Sequence, residues 1–216
     1  MLDQTYNLPQ SASQILGDLT ALAEQLGGPD GLCQLPVSAA SLDSAKVDSV
    51  PALRQFLADY TSRILIPHEL PAIARAYGHV ARYEVRELIA LDRELGQDEA
   101  LHGFAKASRS VGCAQLQNLR PLRGERVVQR YLKAVEASEA NGWHTLVFGL
   151  VLALYSMPLR QGLIHFAQQT LGGFVRAGGN RVVMQAADRE KLLDAQIGSV
   201  VTAIEAMLAQ GIVAPN

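Results

Sequence analysis

Glu99 and His102 lie three residues apart in the stretch DEALHG, a spacing that sets a carboxylate and an imidazole on one helical face. Carboxylate-bridged dimetal bundles use that step twice and add two further glutamates from neighbouring helices. A second copy is missing here, because Leu65, Ala76, Asn141 and Gly162 stand three residues before His68, His79, His144 and His165. Asp98 and Glu99 at a helix start also answer to the macrodipole alone. A metal-dependent helical oxidoreductase using Glu99 and His102 is therefore a reading with half its ligands absent, and no metal site is expected.

The other reactive side chains do not assemble either. No two histidines are three or four residues apart, although His144 and His165 fall on successive helices and could approach each other. Cys33 and Cys113 show no C-x-x-C spacing, which suits neither a zinc site nor a disulfide framework and fits a reducing cytoplasm. There is no G-x-S-x-G elbow, no P-loop and no G-x-G-x-x-G, and the pairs Gly27-Gly28, Gly172-Gly173 and Gly178-Gly179 lack the Lys-Ser/Thr of a phosphate cradle. No catalytic residue, cofactor-binding residue or cofactor is expected, and the chain reads as a non-enzyme.

The charged residues read as surface. Arg82 to Glu87 and Asp92-Arg93-Glu94 look like a solvated helix face carrying local ion pairs. Arg120-Pro-Leu-Arg-Gly-Glu-Arg126 puts three arginines in a loop, either as a solvated turn or as a seat for an acidic partner. The formal net charge is −2 with no basic run, so nucleic acid is not an expected partner.

The elements that would position these groups are helices. The chain has 216 residues, 49% apolar and 19% charged, which is enough to bury a core without staples. Ile15, Leu19, Leu22 and Leu26 recur at helical spacing before Gly27, and residues 29 to 47 read as loop. Ser49-Val-Pro51 opens a helix through Leu53, Phe56, Leu57 and Tyr60, and Pro67 marks a boundary before the next, at Glu69 to Tyr77. Leu88, Leu91 and Leu95 carry another, and Asp98 caps the one ending before Pro121. Residues 125 to 140 place Val127, Val128, Tyr131, Leu132 and Val135 inward.

The stretch GWHTLVFGLVLALYS, residues 142 to 156, is apolar all round. It is shorter than the roughly 20 residues a membrane span needs, so it reads as a central core helix. Helices from Pro158 and Asp188 complete about nine, with no strand and no linker. The expectation is one all-α domain over 1–216, with no membrane span and no secretory leader at the N-terminus.

Two segments resemble the UreF family of urease accessory proteins. From residue 144, His144, Val147, Phe148, Gly149, Leu150, Ala153, Pro158 and Leu159 match the form H-x-x-V-F-G-L-x-x-A-x-x-x-x-P-L, with Arg181 near the family's later arginine. Upstream, Asp92 and then Ser108, Arg109 and Gly112 match an acidic helix followed by Ser-Arg-x-x-Gly. The likeness runs over residues 50 to 208. It departs in residues 1–48, where the family's Pro-x-Gly-Gly-Phe turn is reduced to Leu35-Pro36-Val37, and after Arg181, where Met184-Gln-Ala-Ala187 replaces Pro-Leu-Gly-Gln.

The resemblance implies an all-α, non-catalytic, dimeric adaptor, and the cysteine usage sets the expected location as cytoplasmic. The adaptor would join urease apoprotein, a second accessory protein and a nickel-carrying GTPase, with nickel passing through the complex. It offers Arg109, Gly112, His144, Gly149 and Arg181 as partner or interface residues. A structural salt bridge is the alternative for each arginine. A helical interaction protein unrelated to urease remains a further reading.

Overall fold

The computed structural model describes residues 47–179 and 182–211, which form seven continuous helices, the first made of two α-helical stretches, and no strand. Helix α1, Val50–Tyr60, starts where the Ser49 side chain accepts a hydrogen bond from the Ala52 amide, with Pro51 in the first turn, where its missing N–H costs nothing. Leu53, Leu57 and Tyr60 form its buried face.

Pro67 does not end this helix, contrary to the sequence expectation. The chain instead widens into a π-helical segment, Thr61–Glu69, and runs on into α2, Leu70–Ala81. A proline in a regular α-helix clashes with the carbonyl four residues back, and the wider turn gives its ring room. Nine helices are thus not what the described residues contain. The first expected one lies outside them, and the two separated at Pro67 are a single continuous helix.

Helix α3, Val85–Gln97, leads through a 3-10 turn, Glu99–Leu101, into α4, His102–Asn118. Asp98 accepts from the Ala100 amide at 3.0 Å and so caps that turn. Then come α5, Arg126–Glu136; α6, His144–Leu154; α7, Leu159–Gly179; and α8, Ala186–Ala209.

Every residue of α6 from His144 to Leu152 is buried, as an apolar sequence with no polar stripe requires. Its main neighbour is α2, then α4 and α7. The contact with α2 is close because residue 149 is a glycine: a Cβ there would fall 2.5 Å from the Ile73 carbonyl oxygen and 2.9 Å from the Ala76 Cβ. Helix α8 is long and apolar enough by composition to cross a membrane. Its Leu192, Ile197, Val200, Ile204 and Met207 are buried in the fold, and its main neighbour is α7.

Candidate functional site

The apolar face of α3 carries one acid. Val85, Leu88, Leu91 and Leu95 are buried, and Asp92 sits among them with no exposed surface. The sequence reading that set Asp92 on a solvated face beside Arg93 and Glu94 is therefore wrong. The i, i+3, i+4 run Leu88, Leu91, Asp92, Leu95 was the signal that could have found it.

A buried carboxylate is tolerated only when its lone pairs are filled. Asp92 is supplied by three kinds of donor. The Tyr131 hydroxyl donates at 2.5 Å, the Asn141 amide side chain at 2.9 Å, and the backbone N–H groups of Asn141 and Gly142 complete the set. The carboxylate thereby pins the loop between α5 and α6 to α3. Burial first, and then the Asp92 charge, push the Tyr131 phenol well above its usual range, so it remains a donor.

Gly142, at the end of that loop, has φ +72°, and a Cβ on it would lie 2.9 Å from Cys113 Sγ. Glycine therefore answers both the left-handed backbone and the lack of room. The Cys113 thiol donates to the Asn141 carbonyl at 3.6 Å. Burial, with Asp92 nearby, raises its pKa, which makes it a poor thiolate and a poor nucleophile.

Helix α6 begins next to this loop without a capping side chain of its own, since Trp143 occupies the N-cap. Ser108 of α4 does that work from outside: its Oγ accepts from the His144 N–H at 3.3 Å and lies 3.5 Å from His144 Nδ1. One turn along α4, Gly112 lets the two backbones meet, because a Cβ there would be 2.6 Å from the His144 nitrogen. The Arg109 guanidinium lies 5.0 Å from the centre of the Trp143 ring, a cation–π geometry, and has no ion-pair partner among the described residues. The His144 ring stacks on Phe166 of α7 at 5.2 Å.

Asp92, Ser108, Arg109, Gly112 and His144, from three helices, are thus brought into one junction. Gly149 faces α2, further along α6, and Arg181 lies outside the described residues. So do Cys33 and the N-terminal helix expected at Ile15 to Leu26. Tyr131, Asn141 and Trp143 belong to the junction and were not singled out as site residues in the sequence. Their partners are tens of residues away, so no local spacing marks them.

The remaining sequence candidates are not brought together. Glu99 stands in the 3-10 turn and His102 opens α4; both are exposed. No group of three His, Cys, Asp or Glu side chains able to hold a metal occurs among the described residues. His68 pairs with Asp98 at 2.5 Å and His79 with Glu84 at 2.8 Å. His165 is buried in α7, and loss of hydration holds its imidazole down at about 4.

A second polar feature lies in the π-helical segment. The buried Glu69 carboxyl accepts from the Tyr60 hydroxyl at 2.5 Å. Burial pushes its pKa up to about 7 against the lowering effect of that bond. Tyr60 makes edge contacts with Phe104 and Phe174 and, together with Phe56, Ile64 and Phe104, borders an open, mostly apolar groove of about 400 Å³.

Comparison with known families and proteins matches the same region. The sequence model of the family named UreF matches residues 47–194. The chain is also similar to the urease accessory protein UreF of Actinobacillus pleuropneumoniae, with 20% identity over 164 residues that cover 76% of this chain and 72% of the relative.

Proposed function

The chain belongs to the UreF family, and on that premise we propose that it is a urease accessory protein: an adaptor, without catalysis of its own, that acts in nickel insertion into urease. In this reading it joins urease apoprotein to the other accessory proteins, among them a nickel-carrying GTPase. It works in the cytoplasm as a homodimer, with residues 1–216 forming one unit. Nickel is cargo of the assembly, and this chain needs no resident cofactor.

The observation that carries the reading is the junction itself. The residues the family pattern singles out in two separate segments, Asp92, Ser108, Arg109, Gly112 and His144, meet in space. They are used there to fix helices against each other, through a pinned loop, a borrowed cap and a backbone-to-backbone contact. A protein whose distinctive polar residues set helix geometry is suited to presenting surfaces rather than to turning over a substrate. Gly149, which sets the distance between α6 and α2, belongs to the same scheme, and Arg181 is assigned to a partner-facing role on the family pattern alone.

The test is activation. Urease apoprotein co-expressed with its remaining accessory proteins and nickel should hold little metal and at most about a tenth of full activity when this chain is omitted. Restoring the chain should recover both. Full nickel loading without it sinks the proposal.

A further inference from the structure

Helix α5 separates its two sides sharply. Val127, Val128, Tyr131 and Leu132 are buried, while Arg126, Arg130 and Lys133 follow one another along the opposite side, four and then three residues apart. All three are exposed, and so is Arg123 in the preceding turn. None of the four has an ion-pair partner among the described residues. Elsewhere, Arg63, Arg75, Arg82, Arg120 and Arg160 each meet a carboxylate, while the exposed Arg54, Arg86 and Lys106 have no ion pair among the described residues but stand singly on α1, α3 and α4. The acid closest along α5, Glu136, is engaged by Arg120, which Gln117 also holds. Glu125, at the N-cap, is exposed and makes no capping bond.

The arginine end of this row works against the helix that carries it, whereas Lys133 in the last turn suits the dipole. Arg126 stands in the first turn, at the positive end of the helix dipole, where an acid would be favoured. Arg126 and Arg130 are like charges four residues apart, which repel. A sequence choice that opposes local stability points to a demand from outside the fold.

The ligand that answers the demand is anionic, and the row limits which anion. It spans about 10 Å at 1.5 Å per residue, too short to track a phosphate backbone. The large exposed apolar side chains among the described residues are Tyr83, Tyr155 and Val183, none on α5, so there is neither a ring for base stacking nor an anchor for a bilayer. Arginine forks match carboxylates two bonds at a time. We infer that Arg123, Arg126, Arg130 and Lys133 form a docking surface for an acidic segment of a partner protein. The inference stands apart from the urease reading, because its test needs no urease component.

The experiment uses the full chain and a fluorescein-labelled peptide of ten alternating Glu and Ala residues, followed by anisotropy at near-physiological salt. The triple variant Arg123→Ala/Arg126→Ala/Arg130→Ala should bind at least about tenfold more weakly, with a thermal melt no lower than the parent's, since the removed charges oppose the helix. The control Arg54→Ala/Arg86→Ala/Lys106→Ala removes equal charge from exposed positions elsewhere and should stay within about twofold. Equal losses in both variants, or no measurable binding by the parent, would overturn the inference. So would tighter binding of single-stranded DNA or of phosphatidylserine vesicles that is itself lost in the triple variant.

Discussion

A methyl group on Gly112 would stand 2.6 Å from the backbone nitrogen of His144 and 2.8 Å from its Cα, so α4 and the start of α6 touch backbone to backbone. Backbone cannot yield as a flexible side chain can. Gly112→Ala should therefore destabilise the protein by about 1–3 kcal/mol, even though alanine is the better helix former. Gly198→Ala, exposed in α8 with nothing near its added Cβ, should raise stability by about 0.5–1 kcal/mol. Urea denaturation of both variants decides this, and two changes of the same sign would refute the enforced contact.

Gly149 sets the distance between α6 and α2 in the same way, since a methyl group on it would lie 2.5 Å from the Ile73 carbonyl oxygen. Leucine there has to displace backbone, at a cost of about 3 kcal/mol or more. For a chain of this size the melting temperature should fall by about 6–12 °C. An unchanged melt would show that α6 does not press on α2.

Asp92 should be the costliest polar position to lose. Asp92→Ala strands the Tyr131 hydroxyl and the Asn141 and Gly142 amides in a buried site, at about 3–5 kcal/mol. Asp92→Asn keeps the shape but turns one acceptor into a donor facing donors, and should lose less. Tyr131→Phe removes one of the donors and should cost only about 1.5–3 kcal/mol. Denaturation midpoints ranking Tyr131→Phe as the most damaging would contradict a hub centred on the carboxylate.

The sequence and the structure agree where chemistry is local. The inward side of α5, the Ser49 cap and the total burial of residues 144 to 152 all follow from periodicity and composition within one element. They part where a tertiary partner decides the outcome. Pro67 breaks an isolated α-helix, and only the π-helical widening shows that this chain continues past it. Asp92 reads as solvated until donors from residues 39 to 50 positions away are brought to it. The cap from Ser108 onto α6 spans 36 positions, which no spacing rule reaches; only the order of family-like residues hinted at it.

Two buried groups set opposing responses to pH. Glu69 has its carboxyl raised from 4.5 to about 7 by burial, so the folded protein holds this proton more tightly than the unfolded chain. Its contribution to stability is complete below pH 4.5 and is lost as pH rises to about 7. His165 is lowered by burial from 6.5 to about 4, so the unfolded chain takes up this proton first. Its contribution is complete above pH 6.5 and is lost as pH falls towards about 4. Each effect is on the order of 3 kcal/mol, and across the shared window they oppose each other. The parent should therefore change little in stability through that window on account of these two groups. Glu69→Gln, which keeps an acceptor for Tyr60, should leave stability rising with pH and gain about 2 kcal/mol at pH 8. His165→Leu should leave it falling with pH. Urea titrations from pH 4 to pH 8 test both, and variant curves that run parallel to the parent would show that neither group is buried in the state that unfolds.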